Sequence, residues 1–312
     1  WVLVKHQALR KEFGMSLKTE NVVDFVASKE GKQTHAAGTG AEGELEKQLQ
    51  DNSQFYSDCL FQDILVGISH TDTELLAEKQ AILMNRCGDG SIIGLHVKSE
   101  TDSATTDTES ILENQFYKLL EERQMKGRYR VVSGNVSRTL QEYGLLSDII
   151  VVKLNYPPVG SVFDRLSSGI ITLLQSSNRP IMFVKNEPML VNRILLIYDE
   201  GEKGREAFFV AAYYAARYGC GLFIVMPEKG DKASEEAIKF AEDYLAALNI
   251  NYQTVQLPAN QLAEKLVEVI DENGISTVIL GGYKSTGLIG RIFGSTVDRV
   301  LDLSPVPVLV CQ

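Results

Sequence analysis

A glycine-rich segment near the end of the chain carries residue types that suit phosphate binding. It reads Gly281-Gly-Tyr-Lys-Ser-Thr-Gly-Leu-Ile-Gly-Arg-Ile-Phe-Gly-Ser-Thr-Val297 and follows a short apolar run, Thr277 to Leu280. A helix is predicted to begin near Ser295, with Ser295 and Thr296 as its cap residues. Glycines let backbone N–H groups approach phosphate oxygens closely, and a helix N-terminus adds partial positive charge. The pattern predicts a site for nucleotide phosphates; the alternative is a tight turn between strand and helix.

The elements that would hold this segment are short apolar runs separated by helical patterns. Each run is rich in Val and Ile, which is typical of strands buried on both faces of a parallel sheet. Four runs recur in the same order in the two halves of the chain, which indicates a duplicated domain. The matching pairs are residues 63–69 with 193–199, 91–97 with 221–226, 148–152 with 276–280, and 180–184 with 307–310.

Alternation of strand and helix predicts the fold class. We expect an α/β protein in which two tandem, doubly wound, parallel five-stranded sheets form a pseudo-dimer within one chain. The two-fold arrangement would cover the edges of the final strands, and further homodimerisation stays open. The predicted divisions are an extension and linker over residues 1–60, a first domain over 61–187 and a second domain over 191–312.

The glycine-rich segment resembles the universal stress protein family. Nucleotide-binding members of that family carry G-x2-G-x9-G-(S/T) between a strand and a helix. Gly281, Gly294 and Ser295 match this pattern, whereas Lys284 replaces its second glycine. The resemblance extends over both repeats, roughly residues 62–312, and implies Rossmann-like domains of the adenine-nucleotide alpha hydrolase-like kind.

The resemblance also implies a ligand and a set of contacts. The second domain would bind ATP or AMP, with Mg²⁺ accompanying ATP. Asp199 would meet the adenosine, Val225 would line the base pocket, and the loop would hold the phosphates. Ligands of doubly wound sheets bind at the carboxyl edge where the strand order reverses, which independently favours this location. The candidate nucleotide-binding residues are Asp199, Val225, Gly281, Gly282, Lys284, Gly294, Ser295 and Thr296.

Lys284 stands where the family pattern has a glycine. If the position requires a positive φ, a β-carbon there costs about 1–2 kcal/mol and the loop takes another shape. Alternatively, the Lys284 ammonium, with Arg291 nearby in the sequence, would pair with a phosphate in an otherwise acidic protein. The sequence leaves both alternatives open.

The first repeat departs further from the pattern. Its loop reads Lys153-Leu-Asn-Tyr-Pro-Pro158, Ser167-Ser168 replaces the Gly-Ser pair, and Ser69 replaces the acid at the strand end. Proline has no backbone N–H to offer a phosphate. We therefore expect the first domain to be a degenerate partner that completes the pseudo-dimer.

Composition restricts the function classes. The formal net charge of −10 disfavours nucleic-acid binding, which requires a basic face. The four cysteines and four histidines show no metal-ligand spacing, so reduced, buried thiols in a cytoplasmic protein are expected. The sequence has no complete P-loop and no motif with a poised nucleophile. We expect a regulatory module that binds a nucleotide rather than an enzyme, and weak ATP hydrolysis stays open.

Two alternative functions also stay open. One is a protein-interaction module that binds no nucleotide. The other is the cytoplasmic regulatory domain of a membrane transporter whose membrane part would precede Trp1. Residues 1–4 read Trp-Val-Leu-Val and precede a basic stretch over residues 5–11, as at the cytoplasmic exit of a transmembrane helix. An amphipathic helix explains the same residues.

Overall fold

The described part of the chain begins at Cys59. The computed structural model describes residues 59–70, 72–86, 90–98, 106–155, 169–199, 201–226, 232–255, 261–282 and 296–312. The chain divides into two compact units, residues 1–59 and residues 60–312. The predicted extension and linker over residues 1–60, including the basic stretch that suggested a transporter, therefore lies almost entirely outside the described residues.

Residues 60–312 alternate strands with helices. The strands are β1 (Asp63–Ile68), β2 (Ser91–Lys98), β3 (Lys126–Ser133), β4 (Ile149–Lys153), β5 (Ile181–Val184), β6 (Arg193–Ile197), β7 (Gly221–Val225), β8 (Tyr252–Thr254), β9 (Thr277–Gly281) and β10 (Val308–Cys311). The helices are α1 (Leu76–Met84), α2 (Thr106–Glu122), α3 (Val136–Gly144), α4 (Ile170–Ser176), α5 (Glu202–Tyr218), α6 (Lys232–Ala247), α7 (Leu262–Asn273) and α8 (Thr296–Leu303).

The ten strands form one sheet in the order β3-β2-β1-β4-β5-β10-β9-β6-β7-β8. Neighbouring strands are parallel except β5 and β10, which pair antiparallel. The predicted α/β fold with a mostly parallel sheet is confirmed. The order 3-2-1-4-5 of the first five strands recurs in mirror order in the last five, and the two sets join edge to edge. The domain division near residues 187–191 stays a prediction.

The central strands make the core because they are buried on both faces. Ile64, Leu65 and Val66 of β1 are fully buried, as are Ile194 and Leu195 of β6. β-Branched and leucine side chains pack well on such pleated surfaces. This burial fixes the register of β1 and β6 against their neighbours, and with it the positions of the segments that follow them.

Helix α5, which begins three residues after Asp199, packs on the sheet through an apolar face. Its buried face includes Ala207, Ala211 and Phe208, whose ring packs against those of Tyr198 and Phe240. Burial of a side chain such as Phe208 contributes about 1.5–3 kcal/mol. The helix ends at Gly219, whose φ of 66° is a left-handed conformation that glycine adopts without a steric penalty.

The connection between β5 and β6 is fixed by helix α1. Gln80 Nε2 donates to the Met189 carbonyl at 3.0 Å, and the Met189 N–H donates to Gln80 Oε1 at 2.8 Å. Arg86 donates to the Val191 carbonyl at 3.1 Å and lies over the Tyr218 ring of α5, 4.0 Å from its centroid. Gln80 and Arg86 thus hold the β5–β6 connection by hydrogen bonds, and Arg86 also contacts α5 through the Tyr218 ring.

Among the cysteines that the structure describes, Cys59 differs from the prediction. Cys59 is disulfide-bonded, so the expectation that all four thiols are reduced was wrong for this residue. Cys220 and Cys311 are free and buried. In the described part of the chain, no helix has the length and apolar character needed to cross a bilayer.

Candidate functional site

The candidate site lies at the carboxyl edge of β6, where the strand order reverses. β6 pairs with β7 on one side and with β9 on the other. The chain therefore leaves β6 and β9 toward opposite sides of this point, and a doubly wound sheet has its ligand crevice there. Asp199 follows β6 and Gly281 ends β9, so both predicted residues lie at this edge.

Asp199 is held at the start of helix α5. Its Oδ1 accepts a hydrogen bond from the Gly201 N–H at 2.9 Å, a local turn that Asp side chains favour. Its backbone oxygen would lie 2.6 Å from a β-carbon added to Gly204. The carboxylate is partly buried next to the first turn of the helix, where partial positive charge stabilises an anion.

Gly281 packs against the same turn of α5. A β-carbon added to Gly281 would lie 2.6 Å from the Gly204 nitrogen and 2.7 Å from the Lys203 carbonyl carbon. These are backbone atoms, so a side chain would force strand and helix apart. Glycine at 281 thus allows β9 to approach α5 closely, whereas glycine at 204 leaves room for Asp199. This packing is a structural reason for glycine at 281 in addition to the predicted phosphate contact.

Gly282, which follows β9, lies next to the end of β10 at the same edge of the sheet. The Gly282 N–H donates to the Cys311 carbonyl at 2.7 Å, and a β-carbon added to Gly282 would lie 2.7 Å from Gln312 Oε1. Lys203 Nζ donates to the same Gln312 oxygen at 3.1 Å. The glycines that begin the predicted loop are therefore flanked by an ammonium group.

Two partly buried ionisable groups of α5 have shifted pKa values. Burial lowers the pKa of Lys203, and the Glu206 carboxylate partly opposes this shift. Burial raises the pKa of Glu206, and Lys203 partly opposes that shift. Each charge is thus disfavoured mainly by loss of water, and each is partly supported by the other.

The other predicted residues are distributed as follows. Val225 ends β7, is buried, and accepts a hydrogen bond from the Tyr198 N–H at 3.0 Å, which brings it next to the residue preceding Asp199. Thr296 is the exposed first residue of α8. The structure thus brings Asp199, Val225 and Gly281 to one edge. Lys284, Gly294 and Ser295 lie outside the described residues.

The first half has a different group at the equivalent edge. Lys153 ends β4 as Gly281 ends β9, and its Nζ pairs with Asp72 Oδ1 at 3.1 Å. Asp72 is 2% exposed, and its Oδ2 accepts hydrogen bonds from the Leu76 and Ala77 N–H groups at the start of α1. In the first five strands, the Lys153 side chain thus contacts the turn before α1. In the last five strands, Gly281 lies against the start of α5 instead. The rest of the predicted degenerate loop, from residue 156 to residue 168, lies outside the described residues.

The predicted second domain is similar to a known protein family. Residues 191–312 match the universal stress protein family. No curated protein matches the chain. Among the described residues, no group of three or more His, Cys, Asp or Glu could hold a metal ion. The universal stress protein match covers the half that carries Asp199 and the glycine-rich segment.

Solved structures with a similar fold span both halves. A universal stress protein from Archaeoglobus fulgidus is 18% identical, with a TM-score of 0.61, covering 81% of this chain and 97% of that chain. A functionally unknown protein from Pseudomonas aeruginosa is 19% identical, with a TM-score of 0.57, covering 80% of this chain and 92% of that chain. At these identities the likeness shows the fold alone.

One shorter structural match contains a ligand. A universal stress protein family protein from Arabidopsis thaliana with AMP bound is 16% identical, covering 40% of this chain and 91% of that chain, with a TM-score of 0.29.

Sequence reasoning missed Lys203 and Gln312. Lys203 lies in a charged stretch, Glu200-Gly-Glu-Lys203, that reads as a solvated helix start, and Gln312 follows the last apolar run. Their proximity depends on the approach of α5 to β9 and β10. Gly281, which ends the apolar run of β9, is a signal in the sequence for such an approach.

Proposed function

We propose that the second half of the chain binds an adenine nucleotide, ATP or AMP, and that the protein is a regulatory module rather than an enzyme. The observation that carries this proposal is the meeting of Asp199 and Gly281 at the start of α5, at the carboxyl edge where the strand order reverses. A carboxylate can accept hydrogen bonds from nucleoside hydroxyls, and close backbone approach suits phosphates. Mg²⁺ would accompany ATP.

The first half would serve as a structural partner. At its edge, the partly exposed Lys153 forms an ion pair with the buried Asp72 next to the start of α1, and this pair would take space that a ligand needs. The antiparallel pairing of Val308 with Phe183 and of Val310 with Ile181 supports an intramolecular pseudo-dimer. A nucleotide at the ends of β9 and β10 would lie one strand from β5. Regulation would then work through this shared sheet, acting on a partner in the cytoplasm or on a preceding transporter.

The test is a thermal unfolding titration with ATP, AMP, cyclic di-AMP and GTP, each with and without Mg²⁺. A ligand that binds only the native state raises the unfolding free energy by about 2.7 kcal/mol at a concentration of 100 Kd. We expect ATP or AMP to raise the unfolding temperature and GTP to leave it unchanged.

A matched pair of variants locates the site. D199N keeps a side-chain oxygen that can accept from the Gly201 N–H but removes the charge, so the start of α5 should persist while nucleotide affinity falls about tenfold. D243N makes the same change at an exposed position of α6 and should bind as the wild type does. If no nucleotide raises the unfolding temperature of the wild type, the protein is an interaction module and the proposal is wrong.

A further inference from the structure

A lysine lies beside the two glycines that begin the predicted phosphate loop. Lys203 is the second residue of α5, and its carbonyl carbon would lie 2.7 Å from a β-carbon on Gly281. Its ammonium reaches the end of β10, where Nζ donates to Gln312 Oε1 at 3.1 Å. Gln312 in turn packs on Gly282. The cation is therefore held next to both glycines.

The charge of Lys203 is incompletely compensated. Its side chain is partly buried, and among the described residues no carboxylate lies within ion-pair distance of its Nζ; Glu206 acts on it only at longer range. Burial also lowers its pKa because the ammonium has lost water, and the Glu206 charge opposes this shift only partly. An anion bound at this edge would restore the missing partner.

The Gln312 side chain adds a second polar group whose hydrogen bonds are incomplete among the described residues. Its Oε1 accepts from Lys203, while its Nε2 is buried and has no hydrogen-bond partner among the described residues. A buried donor left unsatisfied costs about 1–3 kcal/mol. An anion with several oxygens would accept a hydrogen bond from this amide and form an ion pair with the ammonium at the same time.

We propose that Lys203, held in place by Gln312, contacts the phosphate groups of the nucleotide, so that the site selects phosphorylated adenosine over adenosine. This inference rests on the proposed function and adds a residue that the glycine pattern does not include. Lys203 supplies charge, whereas Gly281 supplies close backbone approach. Asp199, on the other side of the α5 start, would contact the nucleoside and be indifferent to the number of phosphates.

The test compares the affinities of adenosine, AMP and ATP by isothermal titration calorimetry. The proteins are the full chain, K203M, K203R and K232M. Methionine keeps an unbranched side chain without charge, arginine keeps the charge, and Lys232 is a matched lysine on α6 with 89% side-chain exposure. For K203M we expect ATP affinity to fall about ten- to a hundredfold, the value of a charge-assisted contact, with adenosine affinity unchanged. K203R should recover part of the loss, and K232M should match the wild type.

Each alternative outcome has a distinct meaning. If the wild type binds adenosine and ATP equally, the phosphate contact is wrong while nucleoside binding by the second half stands. If the wild type prefers ATP and K203M retains that preference, other groups hold the phosphates and the inference is overturned. If K203M weakens adenosine and ATP equally, Lys203 only supports the fold of the edge, which also overturns it. If no adenine compound binds the wild type, the proposed function and this inference fail together.

Discussion

The free energy of unfolding should fall by about 3 kcal/mol between pH 4 and pH 8 through a single carboxyl group, that of Glu78. Glu78 lies on α1 with 3% of its surface exposed, and its Oε2 has no hydrogen-bond partner among the described residues. Burial is the main cause that raises its pKa from 4.5 to about 7, and the nearby Asp72 carboxylate raises it further. A hydrogen bond to its own backbone and the charges of Lys153 and Lys79 oppose the shift.

The sign follows from the two pKa values. Below pH 4.5 the carboxyl is protonated in both the folded and the unfolded chain, so it leaves stability unchanged. Between pH 4.5 and about 7 the unfolded chain releases the proton and the folded chain keeps it, which stabilises the unfolded state. Above about pH 7 both states are ionised, and the folded protein carries a buried charge that burial disfavours. Stability is therefore lost as the pH rises through this window.

The variant E78Q isolates this effect. Glutamine has nearly the same shape and no charge, so E78Q should be more stable than the wild type by about 3 kcal/mol at pH 8 and nearly equal at pH 4. E235Q makes the same change at an exposed position of α6 and corrects for other titrating groups. Urea unfolding of the three proteins across this pH range gives the difference. Parallel stability profiles of E78Q and E235Q would show that Glu78 does not titrate as its burial requires.

Sequence reasoning recovered the parts of the fold that hydrophobic burial dictates. The inner strands read as continuous apolar runs because they are buried on both faces, as Ile149 to Val151 of β4 are. β3 and β8, at the two ends of the sheet, were not among the matched runs. β3 exposes Lys126, Arg128 and Arg130, and basic residues on an edge strand oppose pairing with another chain. Because β3 and β8 contain polar residues, a search for apolar runs does not detect them.

Site residues at the ends of strands could be predicted from the sequence. Residues whose position depends on how closely a helix packs against the sheet could not. Asp199 and Val225 follow from the ends of β6 and β7. Glu78 and Lys203 read as ordinary surface charges on helices, because a single polar residue in a helical pattern carries no sign of what packs over it. In the structure Glu78 follows the fully buried Ala77, in the same way that Phe208 follows Ala207. Glu78 and Phe208 are thus both buried, although one carries a carboxyl group and the other an aromatic ring.

The substitution G281A should lower the free energy of unfolding by about 3 kcal/mol in the absence of any nucleotide, at the upper end of ordinary overpacking costs. The added β-carbon would lie 2.6 Å from the Gly204 nitrogen and 2.7 Å from the Lys203 carbonyl carbon. Both are backbone atoms of α5, so the contact can be relieved only by moving the helix away from β9. The buried face of α5, with Ala207 and Phe208 against the core, resists that movement.

Two further glycines provide graded controls for G281A. In G282A the nearest atom is Gln312 Oε1 at 2.7 Å, the end of a side chain that can move, and the nearest backbone atom, the Cys311 oxygen, lies farther away at 3.0 Å, so the loss should be smaller. In G221A the nearest atoms lie at 3.6 Å, an ordinary contact, and stability should stay equal or rise by up to about 1 kcal/mol because alanine restricts the unfolded chain. Urea unfolding without ligand measures all three. A G281A protein as stable as G221A would mean that β9 and α5 do not meet closely, and the glycine would then be explained by ligand contact alone. We expect G281A to be the least stable of the three variants and G221A the most stable. That order would mean that packing already requires glycine at position 281. Loss of nucleotide binding in G281A would then be no evidence of a phosphate contact at this residue.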